Sequence, residues 1–585
     1  FPTWIIDPQL HDDIVRMNFL SHTSDGLTDQ GTCERPIDAE LNHLEHVRRL
    51  WLGHTPNTAS EMSGLEQLPG MESESPPSCE TTEMGDRNCQ DIRARLRIDP
   101  YEPYVPSVEA VNMGIRMYFA KAHPMFPVVH AATFKPCRGS ASLLASMCAL
   151  GGLFTGSEHG LQQGIHLIER IIKATLQSWE HIIAKNLDML IPIIHNAVIA
   201  QLFGLLSGSS TLLLAVDAFH GPPILWARHL RLHTKEHKFF LDFNADNAKL
   251  NEAWHEWAHG EEVLRMRHSL FIIDAELASI LHREPLQSFQ SYNLSPTCSE
   301  NVFIASNALA WKASYHAELQ ARKHQILTLN FGVTLLEPKT LEQVPSTSQF
   351  TAYAILQSFS IHVLSFKAQD VTTHHSTEHF HRPLNYFYHH FLEAYLDTSL
   401  PNDPLQLIVL WHLVYMEIYA DFNLLEMAVG REGCKLSEEQ FSTLLSWADS
   451  EDAFRCVLHG LMIRKHIQAM SLASEPAIHT PRALFWTGLV LFCYIRFSSN
   501  TKAPASRISS EVRQFPELYL SGMDVSILLP ELREAKAEVN FSLKAILLSA
   551  VDLLDKIGHW GVSRRFSALL RAICDYAFCC NESWA

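Results

Sequence analysis

The stretch NEAWHEWAHGEEVLRMRHSLFIIDAELASILHREP, residues 251–285, decides the fold. Val263, Met266, Leu270, Ile273, Leu277 and Ile280 step by three or four, the period of one helical face. Leu264, Phe271 and Ala278 fall on an adjoining face, so apolar groups occupy more than one stripe. Such a helix belongs inside a large domain rather than on its surface. Glu261 and Arg265 stand i,i+4 in the favourable order, worth only about 0.2–0.5 kcal/mol on an exposed helix. Burial makes that pair, and Asp274, costly to break.

The same period runs outward from this segment. SVEAVNMGIRMYFAKA (107–122) spaces Val111, Ile115, Tyr118, Phe119 and Ala122 at helical steps, and GLQQGIHLIERIIKATLQSWEHIIAKNLDMLIPII (160–194) and FSLKAILLSAVDLLDKI (541–557) repeat it. Alternating segments bounded by turn pairs are nearly absent. The expected class is therefore all-α, a large multi-helix domain of roughly 16–20 helices. No self-similarity at solenoid periods is visible. The apolar run ALFWTGLVLFCYI (483–495) is shorter than the roughly 18 residues of a membrane span. Pro192, His195, Asn196, Gln201 and GLLSGSS break 189–216 into two core helices and a turn. No membrane partner is expected.

The chain has 585 residues, 46 Lys+Arg against 64 Asp+Glu, and a net charge of −18. That balance opposes a broad nucleic-acid face, which needs clustered cations. Twelve cysteines without a single Cys-x-x-Cys read as buried small hydrophobes, not a disulfide scaffold. The stretch 56–90 has seven acids, one Arg and no aromatic residue, too little apolar surface to offset chain entropy. We therefore read 1–105 as a mostly disordered acidic, Ser/Pro-rich arm. Its first 20 residues alternate acids and hydrophobes and suit either a helix that folds on a partner or a strand or helix docked on the body. The polar segment 367–385 reads as a linker, dividing the helical body into 106–366 and a continuation, 367–585. The chain opens on Phe1 rather than Met, from which a truncated or processed N-terminus is expected.

Chemistry is sparse. His375, Glu378 and His379 match the H-x-x-E-H order of a zinc peptidase, but in a polar linker and without a further ligand in view. His11-Asp12, His43-x-x-His46 and the trio Cys574, Cys579 and Cys580 lack the partners a metal site requires. Phosphate-binding glycine loops and the G-x-S-x-G elbow are absent. Arg228, Arg231, Lys235 and Lys238 read as a solvated basic face. No catalytic residue, resident metal or cofactor is expected, and the chain reads as a non-enzyme.

Several segments, taken in order, resemble the regulatory middle homology region of fungal-specific transcription factors. YFAKAHPMFPVVHAATF (118–134) is similar to that region's entry motif, through Tyr118, Phe119, His123, Pro124, Phe126 and Pro127. Trp254, Trp257, Glu261, Arg265, Asp274 and Pro285 resemble its Trp–Glu–Arg–Asp–Pro progression. The family usually has two adjacent arginines; here Met266 separates Arg265 from Arg267, leaving the ion-pair partners open. Segments 410–433, 447–460, 475–495 and 559–566 resemble the C-terminal half of a subset that carries upstream two-Cys-two-His zinc fingers.

The resemblance implies a regulatory domain of a nuclear factor controlling RNA polymerase II transcription. Its expected partners are transcription machinery or co-regulators, and DNA only through a zinc finger absent from this chain. A small-molecule effector between helices is a further expectation, with no residue naming it. The motif residues themselves are expected to be structural. The competing readings are a helical scaffold or cofactor without DNA binding, and a zinc hydrolase built on His375, Glu378 and His379.

Overall fold

A computed structural model describes residues 36–52, 79–98, 106–136, 140–185, 190–230, 239, 241–287, 293–321, 329–330, 338–342, 344–346, 348–369, 378–393, 403–471, 474–498, 515–520, 539–557 and 559–579. The chain divides into two units, 1–42 and 43–585; of the first, only the opening of one helix is described.

Helices α1 (Pro36–Leu52) and α2 (Cys79–Leu96) precede α3 (Val108–Met117). The latter runs through a π-helical turn (Tyr118–Ala122) into a last turn, His123–Met125. There follow α4 (Ala141–Leu153), α5 (Glu158–Lys185), α6 (Leu190–Ser207), α7 (Ser210–His229) and the 35-residue α8 (Asn247–Leu281). Then come α9 (Ala308–Ala321), α10 (Gln349–Gln369), α11 (Glu378–Phe387), α12 (Leu407–Tyr419), α13 (Phe422–Ala428), α14 (Glu438–Ala448) and α15 (Glu451–Gln468). The chain closes with α16 (Thr480–Phe497), α17 (Val539–Lys556) and α18 (Gly561–Cys579). Among the described residues the only sheet is a two-residue antiparallel pair, β1 (Asn293–Leu294) with β2 (Leu329–Asn330). The class is all-α.

Helix α8 forms because its ends are defined and its interior lacks proline. The Asp246 side chain caps the N-terminus by accepting from Lys249 N at 2.9 Å. His282 ends it in the left-handed conformation, φ 50°, and Arg283 N reaches back to Ala278 O at 3.1 Å. Almost every residue from Arg265 to Ser279 is buried, as its multiple apolar stripes require. Helix α6 is apolar and long enough to cross a membrane by length and composition, yet most of it is buried inside the body. Its polar residues bond to neighbouring helices: Ser146 Oγ donates to Asn196 Oδ1 at 2.6 Å, and His220 Nδ1 lies 3.0 Å from Gln201 Oε1.

Two features differ from the expectation. The arm contains helices, and α2 begins inside the stretch read as disordered. Cys89, Ile92 and Leu96 fall on one buried face of α2, while Leu44 and Val47 are buried on α1. Arg93 Nη2 donates to Pro106 O at 2.7 Å. A few apolar residues at helical spacing dock a segment once the body supplies the opposing surface, which segment composition alone does not register. Residues 1–35 and 53–78, including the alternating 1–20, lie outside the described residues. The linker reading of 367–385 is likewise too broad. Helix α10 continues to Gln369 and α11 starts at Glu378 with Phe380 and Leu384 buried. One core cluster runs across the 366/367 boundary, with Phe359 of α10 beside Phe387 of α11.

Helices α3 and α4 cross at a glycine contact. A methyl group added at Gly151 would lie 1.8 Å from the Gly114 carbonyl oxygen. We expect Gly151→Ala to force the helices apart, costing about 1–3 kcal/mol or more and lowering the thermal midpoint.

Much of the histidine content is interior. Burial lowers the pKa of His123 and His195 to about 4 and of His268 and His479 to about 3. These groups are neutral in the native state at pH 7, and the unfolded chain protonates them first. Each contributes stability that is full above pH about 6.5 and is lost as pH falls toward its folded value. The melting temperature should therefore drop between about pH 6.5 and 4, and His195→Gln should show a shallower drop.

Candidate functional site

Helix α8 passes through two separate apolar clusters. Its first part places Leu250, Trp254 and Trp257 with Val302, Phe303 and Trp311. From Met266 onward it belongs to the main core. Glu261 and Arg265 lie at the crossing, and both are buried. Arg265 Nε donates to Glu261 Oε1 at 3.0 Å, Nη1 to Pro127 O at 3.3 Å and Nη2 to Cys298 O at 3.1 Å. Cys298 N returns a bond to Glu261 Oε1 at 2.9 Å. The guanidinium also sits 3.8 Å over the Phe303 ring. Burial works against the Arg265 charge, but Cys298, Glu261 and Glu300 outweigh it and hold the group ionised.

The segment resembling the entry motif wraps onto this junction. The π-helical turn carries Tyr118 and Phe119, whose rings meet edge to face, and Phe119 packs on Phe134. Pro124 occupies the first turn of the short helix that follows. His123 Nε2 lies 2.6 Å from Val129 O, and the ring stacks on Phe303. Phe126 meets Phe350 edge-on. His130 N donates to Glu262 Oε1 at 2.7 Å, and its ring meets both Trp254 and Trp257 edge-on. Two segments distant in sequence thus form one unit, stapled by the Arg265–Pro127 bond across 138 residues.

Asp274 and Pro285 serve a second place. Asp274 accepts from Leu286 N at 3.1 Å, Gln287 N at 2.8 Å and Arg283 Nη1 at 3.3 Å. It folds the segment containing Pro285 back over the helix, while Arg283 Nε also holds Asp217 at 2.7 Å. Of the two neighbouring arginines, Arg265 takes Glu261. Arg267 is also buried, and its pKa is lowered to about 10 by that burial.

A further buried network escaped the sequence reading. Arg482 of α16 donates to Glu276 of α8 at 3.2 and 3.0 Å and to Glu417 of α12 at 2.9 Å. Gln357 Nε2 donates to Glu276 at 2.5 Å, and Ser279 Oγ to Glu417 at 3.1 Å. The available signal was a lone charge inside each apolar run. The pairing across 206 residues was not readable from it.

Among the described residues the metal candidates do not converge. His375 lies outside the described residues; Glu378 and His379 open α11, where His379 packs on Phe366 and Phe380. Among the described residues no group of three or more His, Cys, Asp or Glu could hold a metal ion. His43 and His46 stand on α1, and His11, Asp12 and Cys580 lie outside the described residues. Arg228 Nη2 donates to Leu286 O at 3.4 Å; Arg231, Lys235 and Lys238 lie outside.

Residues 115–337, which hold this junction, match the family model of the fungal specific transcription factor domain. The domain match opens within α3 and takes in α8, Asp274 and Pro285, whereas Glu417 and Arg482 lie C-terminal to it. A Gibberella fujikuroi protein described as a transcription factor is 19% identical over 489 residues, 83% of this chain and 59% of that protein. The zinc finger protein klf1 of Schizosaccharomyces pombe is 23% identical over 206 residues, 34% of this chain and 25% of that protein. The chain therefore matches 59% and 25% of the lengths of these relatives. No solved structure matches it.

Arg265→Met leaves Glu261 buried without its cation, and we expect a loss of about 3–5 kcal/mol in chemical denaturation. The double variant Glu261→Gln/Arg265→Met should cost less than the two single changes summed, the signature of direct coupling.

Proposed function

We propose that this chain is the regulatory portion of a nuclear transcription factor acting on RNA polymerase II genes, and that it is not an enzyme. The observation that carries the reading is the junction of the HPMFP segment with the Trp–Glu–Arg helix, inside the fungal transcription factor domain. The relative described as a transcription factor supports the same reading. The charge of −18 fits a part that does not grip DNA itself. DNA is then read by a zinc finger in the whole protein, in keeping with the printed name of the Schizosaccharomyces relative. Partners are transcription machinery or co-regulator proteins. The acidic, apolar stretch 1–20 is the segment suited to recruit them. The helical body restrains that output or transmits a signal to it.

The test fuses 106–585, 1–105 and the whole chain separately to a neutral DNA-binding domain in a fungal reporter strain. We expect 1–105 to raise reporter output and its combination with the body to change that output. Output indistinguishable from the DNA-binding domain alone in all three fusions overturns the proposal. A zinc-finger sequence in the reading frame upstream of Phe1 would separately establish the DNA-reading part.

A further inference from the structure

Helices α3 and α4 and the first turns of α5 leave an open groove of about 160 Å³ between them. Gly114, Gly152, Gly160 and Gly164 line it; a Cβ at Gly114 or Gly164 would meet Cys148 or the Phe203 ring, whereas one at Gly152 meets only the Gly160 carbonyl oxygen at 3.6 Å. Cys148 and Leu167 give it an apolar wall, and the exposed Met113 stands at its rim.

A groove of small residues alone is only a packing feature; Gln163 makes this one more. Its side chain lines the groove, is 8% exposed, and has no hydrogen-bond partner among the described residues. Other polar groups nearby are committed. Thr155 Oγ1 donates to Gly152 O at 2.7 Å, Ser157 Oγ accepts from Gly160 N at 3.0 Å, and Cys148 Sγ donates to Ala110 O at 3.7 Å. Gln163 thus offers an unspent amide, both donor and acceptor, in a site whose other polar side chains, Thr155, Ser157 and His159, are engaged elsewhere. The amide faces the open groove, where a ligand group that pairs with it takes the place of solvent. The lining includes His159 but no Asp, Glu, Lys or Arg, so no fixed charge there compensates an ionised ligand.

We propose that the groove binds a small neutral molecule with an apolar body and one hydroxyl or carbonyl group hydrogen-bonded to Gln163. A comparable apolar cavity of about 150 Å³ accepts a benzene-sized molecule, which sets the ligand at roughly six to eight heavy atoms. The site rests on groove geometry and stands or falls independently of the transcriptional reading.

The test titrates the purified 585-residue chain with benzyl alcohol and with toluene, following both by ligand-observed NMR. Benzyl alcohol should bind saturably. Gly152→Leu should abolish that binding while the protein still melts cooperatively, because a Cβ there meets only the Gly160 carbonyl oxygen at 3.6 Å and the side chain enters the groove. Gln163→Leu should weaken benzyl alcohol roughly two- to tenfold, the range of one neutral hydrogen bond, without weakening toluene. The proposal is overturned by no saturable binding to the wild type, by binding that survives Gly152→Leu, or by equal weakening of both probes in Gln163→Leu. Should Gly152→Leu lose cooperative melting, the two-probe comparison in Gln163→Leu decides alone.

Discussion

A helix buried over most of its length must find a partner for every charge it carries, because an unpaired ion in a low-dielectric interior costs several kcal/mol. Helix α8 carries Glu261, Arg265, Arg267, Asp274 and Glu276 into the core, and the contacts of these charges shape the fold. Arg265 draws in Pro127 and Cys298, Asp274 draws in the 286–287 backbone, and Glu276 draws in Arg482. Arg265 and Glu276 recruit segments 138 and 206 residues away, Asp274 the turn just beyond its own helix. The ionic contacts therefore specify which helices lie beside α8, while apolar burial supplies most of the driving force.

This division of labour bears on regulation. The Arg482 pair links the matched family domain to the C-terminal helices, and Glu417 adds α12 to the same network. A contiguous core with charge pairs at its joints is stiff, and it has few arrangements that keep every ion satisfied. A signal that shifts one helix must re-pair these groups or leave one unpaired. Such a penalty favours discrete states over gradual deformation.

The all-α class and the burial of α8 were legible because hydrophobic period survives in a single sequence. So was the break of 189–216 into two helices, since polar residues and Gly208 interrupt the run; Gly208 indeed takes φ 76°. The i,i+4 spacing made Glu261–Arg265 a candidate pair, but the choice between Arg265 and Arg267 was not legible. Docking of α1 and α2 was not, because their few apolar residues gain value only against a surface built elsewhere. The interior histidines were visible only as a surplus; which of them are neutral depends on burial, which spacing does not encode.

What the sequence by itself determined is local: helical period, the position of each charge along α8, and an acidic balance of charge. What only the tertiary structure decided is partnership. Arg265 rather than Arg267 takes Glu261, Glu276 meets Arg482 across 206 residues, and Gln163 is left facing a groove without a partner among the described residues. The physical reason is that a charge's position follows from chain spacing, whereas its partner follows from where burial leaves no water to replace one.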